Sequence, residues 1–389
     1  MRAVSEFGSE VKRLLSERGM SLRQAARLAH YDVAYLSKVV NGRKPGSPGL
    51  AAALDDVLGA GGTLAGIAAG GALNPDDAGR LGRAASRPRG TDPAAAGVLA
   101  ELLASQRRTE DCLGSRAMLR PAAAQMTVIE NLAREARGHA RPRLVHIAGQ
   151  WAQFLGWLYT STGDHGNGGA WLRLALGWAV EAGDVNLISE VLSFQGHAAY
   201  VAGQPGPAVG LSQAARRDAS AYPGQLAISA AQEAKGRAMT GDPRDVDRLL
   251  GQADELAERA RERPADAPPW LYYHTDGFFE LQRGEAYAYL AGDPHYQARA
   301  AAALTSGYAA LPASARESEW GAEYLVRLAG VHARGGDLEQ ACAAALQAAA
   351  AGRQMESARL QKMLSRLRAG MARRWPGSPD VAELAEALR

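Results

Sequence analysis

Residues 21–46, SLRQAARLAHYDVAYLSKVVNGRKPG, carry the helix start and stop signals that decide the fold of the N-terminal part of the chain. Ser21 followed three residues later by Gln24 is the pattern of a capping box, which begins a helix. Asp32 is the predicted N-cap of the next helix, and Asn41-Gly42 is its predicted end. The stretch therefore predicts two short helices joined by a tight turn. Their predicted buried residues are Leu22, Ala25, Ala26 and Ala29 on the first helix, and Leu36 and Val39 on the second.

Apolar residues at helical spacing predict further helices on both sides of this pair. Before it, four apolar residues recur at i, i+4, i+7 and i+8, and Gly19 is expected to end that helix. After it, Ser47-Pro48 is expected to begin another helix, and GAGG at 59–62 to close the unit. The first 64 residues therefore predict a small all-α domain. Its expected core positions on the flanking helices are Phe7, Val11, Leu14, Leu15, Leu50, Leu54, Val57 and Leu58.

This N-terminal stretch resembles the Cro/repressor-type helix-turn-helix, the xenobiotic-response-element-like family of bacterial transcriptional regulators, over roughly residues 6–64. The resemblance rests on the capped second helix, the short turn, the L-S-K-V-V-N-G end of the third helix and the basic residues after it. It implies that the third helix lies in the major groove of double-stranded DNA. One departure is Val40, which stands where the family usually has an acidic residue.

The resemblance implies DNA contacts for eight residues. Val33 and Ala34 would contact thymine methyl groups, and Lys38 would reach O6 or N7 of guanine. The polar and basic residues would bind phosphates, whereas an aromatic side chain would lie toward the backbone or the rim of the groove. His30 and Tyr31 are expected to pack under the turn. The implied contact residues are Gln24, Val33, Ala34, Tyr35, Lys38, Asn41, Arg43 and Lys44.

Charge and composition support a DNA-binding N-terminus on an otherwise ordinary globular chain. Residues 1–64 hold nine basic and six acidic side chains, and the difference equals the net charge of +3 of all 389 residues. The remainder is balanced. No apolar run is long enough to span a membrane and no signal peptide precedes the first helix, so we expect a cytoplasmic protein without a membrane partner.

Residues 65–92 are rich in Gly, Ala, Arg and Pro with weak periodicity, which is typical of a flexible linker. Two helices are predicted next, from Pro93 to about Thr109 and from about Ser115 to Arg137. The predicted domains are therefore a helix-turn-helix domain at 1–64, a linker at 65–92 and a helical repeat domain at 93–389.

The C-terminal part repeats a helix–turn–helix pattern. The phrases STGD, VAGQ, MTGD, LAGD and RGGD each place a turn glycine between two amphipathic helices, which predicts an α-solenoid. Residues 153–164 and 325–349 resemble tetratricopeptide repeats, in which Gly156 and Ala329 take the small position seven residues before the turn glycine. Ala341 and Ala348 take the small positions of a second helix. The predicted turn glycines are Gly163, Gly203, Gly241, Gly292 and Gly336.

The resemblance implies that the first helices of these pairs line a concave groove for a peptide, a small-molecule effector or a protein partner. Aromatic rings mixed with amides suit a peptide backbone or a planar ligand. Packing between helices is the alternative for Trp157 and Tyr200, and the stretch WLYYHTDGFF at 270–279 is expected to be core. The candidate groove residues are Gln150, Gln153, Trp157, His197, Tyr200, Lys235, Gln282 and Tyr289.

The sequence contains no catalytic constellation, metal-ligand spacing or cofactor motif, so we expect a protein that is not an enzyme and has no cofactor. Cys112 and Cys342 are expected to be buried apolar residues. The basic residues after Gly352 suit a second nucleic-acid contact, a dimer surface or a solvated face. The favoured function is a transcriptional regulator that binds DNA as a homodimer. The alternative is a tetratricopeptide-type adaptor whose N-terminal unit serves only assembly.

Overall fold

The computed structural model describes residues 6–29, 31–41, 48–60, 64, 75–355 and 357–388. These residues form α-helices and short 3-10 turns without a β-strand. The chain separates into two compact units, Met1–Gly82 and Arg83–Arg389. The architecture is all-α, a helix-turn-helix unit followed by a solenoid of helix pairs, as the sequence predicts.

Within its described residues, the N-terminal unit packs four helices around one apolar core, and a fifth helix begins before the division between the units and ends after it. Helix α1 contacts α3 and α4, and α4 also contacts α2. All four residues of the predicted stripe on α1 are buried, as are Leu50, Leu54 and Leu58 on α4. The helices are α1 (Glu6–Glu17), α2 (Leu22–Leu28), α3 (Val33–Val40), α4 (Pro48–Leu58) and α5 (Pro75–Ser86).

The segment assigned to a linker holds regular structure in its described part. Residues 75–86 form α5, with Asp76 and Asp77 in the first turn and Arg83 in the last, an order that suits the helix dipole. Residues 65–74 lie outside the described residues. The predicted domain boundaries stay a prediction.

The C-terminal unit consists of consecutive antiparallel helices. Two helices precede the repeats, as predicted. Their C-terminal ends lie two to four residues from the predicted ones. The helices are α6 (Ala94–Leu113), α7 (Ser115–Glu135), α8 (Ala140–Ser161), α9 (His165–Ala182), α10 (Val185–Val201), α11 (Pro205–Ala215), α12 (Pro223–Ala238), α13 (Pro243–Arg261), α14 (Asp276–Leu290), α15 (Pro294–Ala310), α16 (Ala313–Arg316), α17 (Glu319–Gly335), α18 (Leu338–Gln354), α19 (Ala358–Arg374) and α20 (Pro379–Ala387).

Every predicted turn glycine lies between the two helices of a pair, which confirms the repeat. The pairs are α8/α9, α10/α11, α12/α13, α14/α15 and α17/α18, and in each the two helices pack extensively. Gly156 shows why a small residue is needed, because a Cβ there would lie 2.6 Å from Leu172 Cγ on the partner helix. Ala329, Ala341 and Ala348 are fully buried at the other predicted small positions.

The first helices of successive pairs form the inner layer of the solenoid. Contacts run from α8 to α10, from α10 to α12, from α12 to α14 and from α14 to α17. Helix α6 contacts both α8 in the first pair and α17 in the last. Because one helix touches both ends of the row, it lies across the concave side of the solenoid. The concave side therefore forms a partly enclosed cavity.

Candidate functional site

The helix-turn-helix is held by the two caps that the sequence predicts. The Ser21 hydroxyl accepts from the Gln24 backbone N–H at 3.2 Å, and Gln24 Oε1 accepts from the Ser21 N–H at 2.9 Å. The Asp32 carboxylate accepts from the Tyr35 N–H at 2.8 Å. Each cap satisfies backbone donors that would otherwise lack a partner at the helix start. A phosphate contact from Gln24 would use its amide nitrogen, because that group donates hydrogen bonds whereas Oε1 only accepts them.

Helix α3 presents a narrow exposed face. Ala34, Lys38 and Asn41 are exposed at i, i+4 and i+7, which places them on one side of the helix. The opposite side is formed by Leu36, with no exposed surface, and Val39. These positions agree with the predicted orientation of the helix. The exposed face carries one cation, one amide and one methyl group, a set that can contact base edges in a major groove.

The departure at Val40 has a packing explanation. Val40 is 2% exposed and belongs to the apolar core of the N-terminal unit. An acidic side chain at this position would place a charge in that core. Valine therefore adds to the core without altering the exposed face of α3.

Two other residues implied as DNA contacts lie at the edge of this face. Val33 and Tyr35 are half-buried and pack against the core, and the Tyr35 ring stacks on Tyr31 with centroids 6.2 Å apart. Arg43 and Lys44 lie outside the described residues. So does His30. The roles of all eight implied contact residues stay predictions.

Lys12 is a basic residue next to the α3 face that sequence reasoning did not select. It is exposed on α1, and its Nζ donates to Asn41 Oδ1 at 3.2 Å. Asn41 Nδ2 in turn donates to the Ser37 carbonyl at 2.9 Å, so Asn41 is oriented from both sides. The contact depends on how α1 crosses the end of α3, which apolar periodicity does not specify.

The inner layer of the C-terminal unit encloses a cavity of about 150 Å³. Helices α6, α8, α10, α12, α14 and α17 all contribute to its walls, together with the segment before α14. We call this space the solenoid cavity. Aromatic rings form a large part of its walls, including Phe154, Trp157, Phe194, Trp270, Tyr273 and Trp320.

Five of the eight candidate groove residues come together on the solenoid cavity, although they lie up to 129 positions apart in the sequence. Each is on the first helix of a pair, as the repeat predicts. The five are Gln153, Trp157, His197, Lys235 and Gln282.

The other three candidates lie behind or beside the cavity wall. Gln150 is buried on α8, and the Tyr200 hydroxyl donates to Glu285 Oε1 at 2.8 Å. Tyr289 is 41% exposed and packs edge-on against Tyr200, with ring centroids 5.8 Å apart. Tyr200 therefore packs between helices, which was the alternative to a groove position, whereas Trp157 lines the cavity.

The aromatic stretch at 270–279 requires a correction. It was expected to be core, and Trp270, Leu271 and Phe278 are buried. However, Trp270, Phe278 and the intervening tyrosines Tyr272 and Tyr273 also line the solenoid cavity. The stretch contains two 3-10 residues and a turn before α14 rather than a continuous helix, so its rings point to more than one side.

One side of the solenoid cavity holds an ion network in which two basic side chains share one carboxylate. Lys235 Nζ lies 3.2 Å from Glu285 Oε2, and Arg327 Nε lies 3.1 Å from Glu285 Oε1. Burial acts to raise the pKa of Glu285, but Lys235 and Arg327 lower it further, to about 2. Burial also lowers the pKa of His197 to about 3, with Lys235 adding to the effect. At neutral pH this side holds paired charges and a neutral imidazole.

The other side is acidic, and sequence reasoning missed it. Glu110 and Asp111 on α6 and Glu190 on α10 all line the cavity. Burial raises the pKa of Glu110 to about 7, although a hydrogen bond from Ser115 opposes the rise. Burial likewise raises the pKa of Glu190 to about 7, against the charge of Arg107. Isolated acids on amphipathic helices are usually solvated, so only the tertiary packing around the cavity identifies Glu110 and Glu190 as buried.

Asp111 also fastens α6 to the far end of the repeats. Its carboxylate accepts from the Tyr272 hydroxyl at 2.8 Å and from Trp320 Nε1 at 3.0 Å. Four residues further on, the Ser115 backbone N–H donates to Glu319 Oε2 at 3.3 Å. These hydrogen bonds hold the closed form of the solenoid.

The cysteine prediction is right for one residue and wrong for the other. Cys342 is buried, whereas Cys112 is exposed near the end of α6, where the helix face turns away from the cavity. Within the described residues, no group of three or more His, Cys, Asp or Glu side chains is arranged to hold a metal ion. In the same part of the chain, none of the helices combines the length and the hydropathy that crossing a bilayer requires.

Two basic residues of the C-terminal cluster have internal roles. Arg359 pairs with Glu323 and lies over the Trp157 ring, with its guanidinium carbon 5.6 Å from the centroid. Arg374 Nη1 donates to the carbonyls of Ala333 and Arg334 at the end of α17, both at 2.9 Å. Arg359 and Arg374 therefore serve packing and capping. The exposed residues of the cluster include Lys362, Arg366 and Arg373.

A family model described as a helix-turn-helix domain matches residues 6–65. No curated protein matches the chain. The N-terminal unit therefore contains a helix-turn-helix domain, a module typical of DNA-binding regulators.

Proposed function

We propose that this protein is a sequence-specific, DNA-binding transcriptional regulator of the xenobiotic-response-element-like type. The observation that carries the proposal is a helix-turn-helix domain whose third helix exposes Ala34, Lys38 and Asn41 on one face. An α-helix of this kind fits the major groove of B-DNA. Lys38 would contact guanine, and Lys12 and Asn41 would contact the flanking phosphates, together with Arg43 and Lys44.

The protein would bind its operator as a homodimer. One short helix reads few base pairs, and regulators of this kind gain affinity and selectivity by placing two recognition helices on half-sites. The tetratricopeptide-like unit would provide the dimer contact, the effector site, or both. In this proposal the protein acts in the cytoplasm as a regulator and not as an enzyme.

The solenoid cavity supports an effector role for the C-terminal unit. It is concave and combines aromatic rings with convergent polar and ionisable side chains, which are the groups that orient a ligand in a small-molecule site. A ligand that prefers the closed solenoid would shift the population of closed molecules and thereby the spacing of the two DNA-reading helices.

The test is DNA binding by the wild type and by Lys38→Ala. Genomic fragments bound by the wild type are selected first, and the affinity of each variant is then measured at several salt concentrations. One bidentate base contact contributes about 1–3 kcal/mol. Lys38→Ala should therefore lower the affinity for selected fragments about 5- to 150-fold and the affinity for random DNA much less.

Lys12→Ala and Lys362→Ala complete the comparison. Loss of a phosphate contact at Lys12 should lower the affinity for every DNA fragment by a similar factor. It should also reduce the slope of log affinity against log salt concentration by about one. Lys362 is exposed on α19, so its replacement is the matched control outside the helix-turn-helix. If the wild type selects no fragment, or if Lys38→Ala binds selected fragments as the wild type does, the regulator proposal fails and the adaptor alternative is favoured.

A further inference from the structure

Three carboxyl groups of the solenoid cavity lie outside its ion network. Among the described residues, neither Glu110, Asp111 nor Glu190 has a basic nitrogen within ion-pair distance. The partners of Glu110 are neutral donors, Ser115 Oγ at 2.5 Å and Trp157 Nε1 at 3.2 Å. Burying a carboxylate without a counter-charge is costly. The unmatched acids therefore favour a ligand that carries positive charge.

Arg107 on α6 offsets this imbalance only in part at Glu190. Its charge acts to lower the pKa of Glu190, but burial outweighs it and the pKa is still raised to about 7. The Arg107 guanidinium also donates to Gln153 Oε1 at 3.3 Å. Tyr273 and Gln225 are the other polar neighbours of Glu190. Glu110 faces two further acids, Asp111 and Glu319, both of which raise its pKa. A cation placed between α6 and α10 would lower the pKa values of both glutamates and release protons.

Aromatic rings form the walls next to these acids. Trp157 and Phe194 meet edge to face with centroids 5.8 Å apart, and Phe278 and Trp320 do so at 6.0 Å. Trp157, Phe194 and Trp320 are only half-buried although they line the cavity. Ring faces attract cations and also stack on planar groups. Rings beside carboxylates therefore suit a ligand that combines an aromatic group with an ammonium group.

A buried amide nitrogen without a partner specifies a third feature of the ligand, although the same amide group hydrogen-bonds to His197. Gln232 is 3% exposed and lines the solenoid cavity, and its Nε2 has no hydrogen-bond partner within the described residues. A buried donor without a partner is rare in folded proteins. A hydroxyl or carbonyl oxygen of a bound ligand would satisfy it.

The size of the solenoid cavity limits the ligand to a small molecule. A cavity of about 150 Å³ has the volume of an engineered protein cavity that holds benzene. Helix α6 lies across the concave side, so an extended peptide lying along all of the inner helices would have to displace it. A single aromatic ring with a short side chain fits this space without opening the solenoid.

We propose that the solenoid cavity binds a small aromatic amine as a cation, with the ammonium group between Glu110 and Glu190 and an oxygen of the ligand on Gln232. This proposal names the ligand class of the effector site. Only the effector role of the amine rests on the proposed function, whereas amine binding itself does not. The amine remains charged at neutral pH, so the site pairs a buried positive charge with buried acids.

The test uses 2-phenylethylamine and tyramine, with 2-phenylethanol as the neutral control and phenylacetate as the anionic control. Binding to the full-length protein is measured by calorimetry at pH 6, 7 and 8, in two buffers with different ionisation enthalpies. The amines should bind at least about tenfold more tightly than the controls, more tightly at pH 8 than at pH 6, and with proton release. Equal or tighter binding of the neutral or anionic control overturns the proposal, as does the absence of amine binding at millimolar concentration.

Two variants locate the contacts. Glu190→Gln keeps the shape of the side chain and should weaken amine binding at least about tenfold, while binding of 2-phenylethanol changes little. Glu255→Gln, on the exposed side of α13, is the matched control and should bind like the wild type. Gln232→Leu should remove the preference for tyramine over 2-phenylethylamine. Unchanged amine affinity in folded Glu190→Gln, checked by circular dichroism, contradicts the proposal.

DNA binding is measured separately, without amine, so the two proposals can fail independently. A protein that binds selected DNA but no amine loses only the ligand class. A protein that binds the amine without any change in DNA affinity retains the ligand class, but the amine is then not an effector of DNA binding. Binding of the amine together with a change in DNA affinity supports both.

Discussion

The interiors of the two units differ in chemistry. Among the described residues of the N-terminal unit, the buried side chains are apolar except Asp55, whose carboxylate accepts from the Leu64 backbone N–H at 2.9 Å. The C-terminal unit buries a series of ionisable side chains, and several of them face its cavity. The buried ionisable residues there are Arg107, Glu110, Glu190, Glu233, Lys235, Glu285 and Glu319.

This difference indicates where each unit carries its function. A small domain has little apolar surface to bury and needs all of its interior for stability, so its functional groups lie outside, on α3. A solenoid of several helix pairs has enough packed surface to tolerate buried charges. Since buried charges seldom stabilise a fold, their presence around a cavity favours a binding role.

The largest expected effect comes from opening a cavity in the apolar interior. Leu36→Ala, at a fully buried position of α3, should destabilise the N-terminal unit by about 2–5 kcal/mol. All seven tryptophans lie at or beyond position 151, so their fluorescence reports only on the C-terminal unit. Denaturant unfolding by circular dichroism should therefore show an early transition that tryptophan fluorescence does not show.

Leu28→Ala is the matched control for this experiment. Leu28 is 51% exposed on α2, so its truncation leaves no cavity and should change stability by less than about 0.5 kcal/mol. Equal effects of the two substitutions would mean that the α3 side chain is not packed as described.

The next effect concerns the buried acids and has a defined pH window. Burial raises the pKa of Glu190 from its ordinary value of 4.5 to about 7. Between these two pH values the native state therefore keeps a proton on Glu190 that the unfolded state has released. Its contribution to the free energy of unfolding therefore falls by up to about 3 kcal/mol as pH rises from about 4.5 to 7. Glu190→Gln should stabilise the C-terminal unit at pH 8 by up to this amount, and less at pH 5.

The quantity to measure is the difference between wild type and variant at each pH. Burial lowers the pKa values of His197 and His274 to about 3, so below pH 6.5 these histidines act with the opposite sign in both proteins. Subtracting the wild type removes their contribution. A difference that does not change between pH 5 and pH 8 would show that Glu190 is not held in a buried site.

A smaller effect tests the close helix crossing within a repeat. In Gly156→Ala, the new Cβ would lie 2.6 Å from Leu172 Cγ and 2.7 Å from Leu172 Cδ2, so α8 and α9 must move apart. Overpacking of this kind costs about 1–3 kcal/mol. Gly177→Ala is the control, because it lies on the exposed side of α9 with no atom near the added methyl group. It should be neutral or stabilising in thermal unfolding followed by tryptophan fluorescence.

The smallest effect concerns the capping box of α2. Ser21→Ala removes the acceptor of the Gln24 N–H and should lower the stability of the N-terminal unit by about 1 kcal/mol. Ser16→Ala, at an exposed position of α1, should have no measurable effect. Hydrogen exchange of the α2 amides is a suitable measurement, and unchanged protection in Ser21→Ala would contradict the cap.

The helix-turn-helix unit could be predicted closely because its signals are local. The caps at Ser21 and Asp32 involve residues within three positions of each other, and the buried stripe of α1 follows from helical spacing alone. The turn glycines of the repeats are equally local. Lys12 was missed because its contact with Asn41 depends on the crossing of two helices, which no local pattern encodes.

The sequence by itself determined the all-α class, the helix-turn-helix, the small residues at the pair crossings and the first helices as the inner layer. The all-α class and the small residues follow from periodicity and from the steric needs of single residues, whereas the helix-turn-helix and the inner layer follow from the two family resemblances. Only the tertiary structure decided that α6 touches both α8 and α17 and turns the concave side into a cavity. That closure joins residues about 200 positions apart, such as Asp111 and Trp320. It also buries acids that would be solvated on an open solenoid, because burial depends on which helices meet and not on the pattern within any one of them.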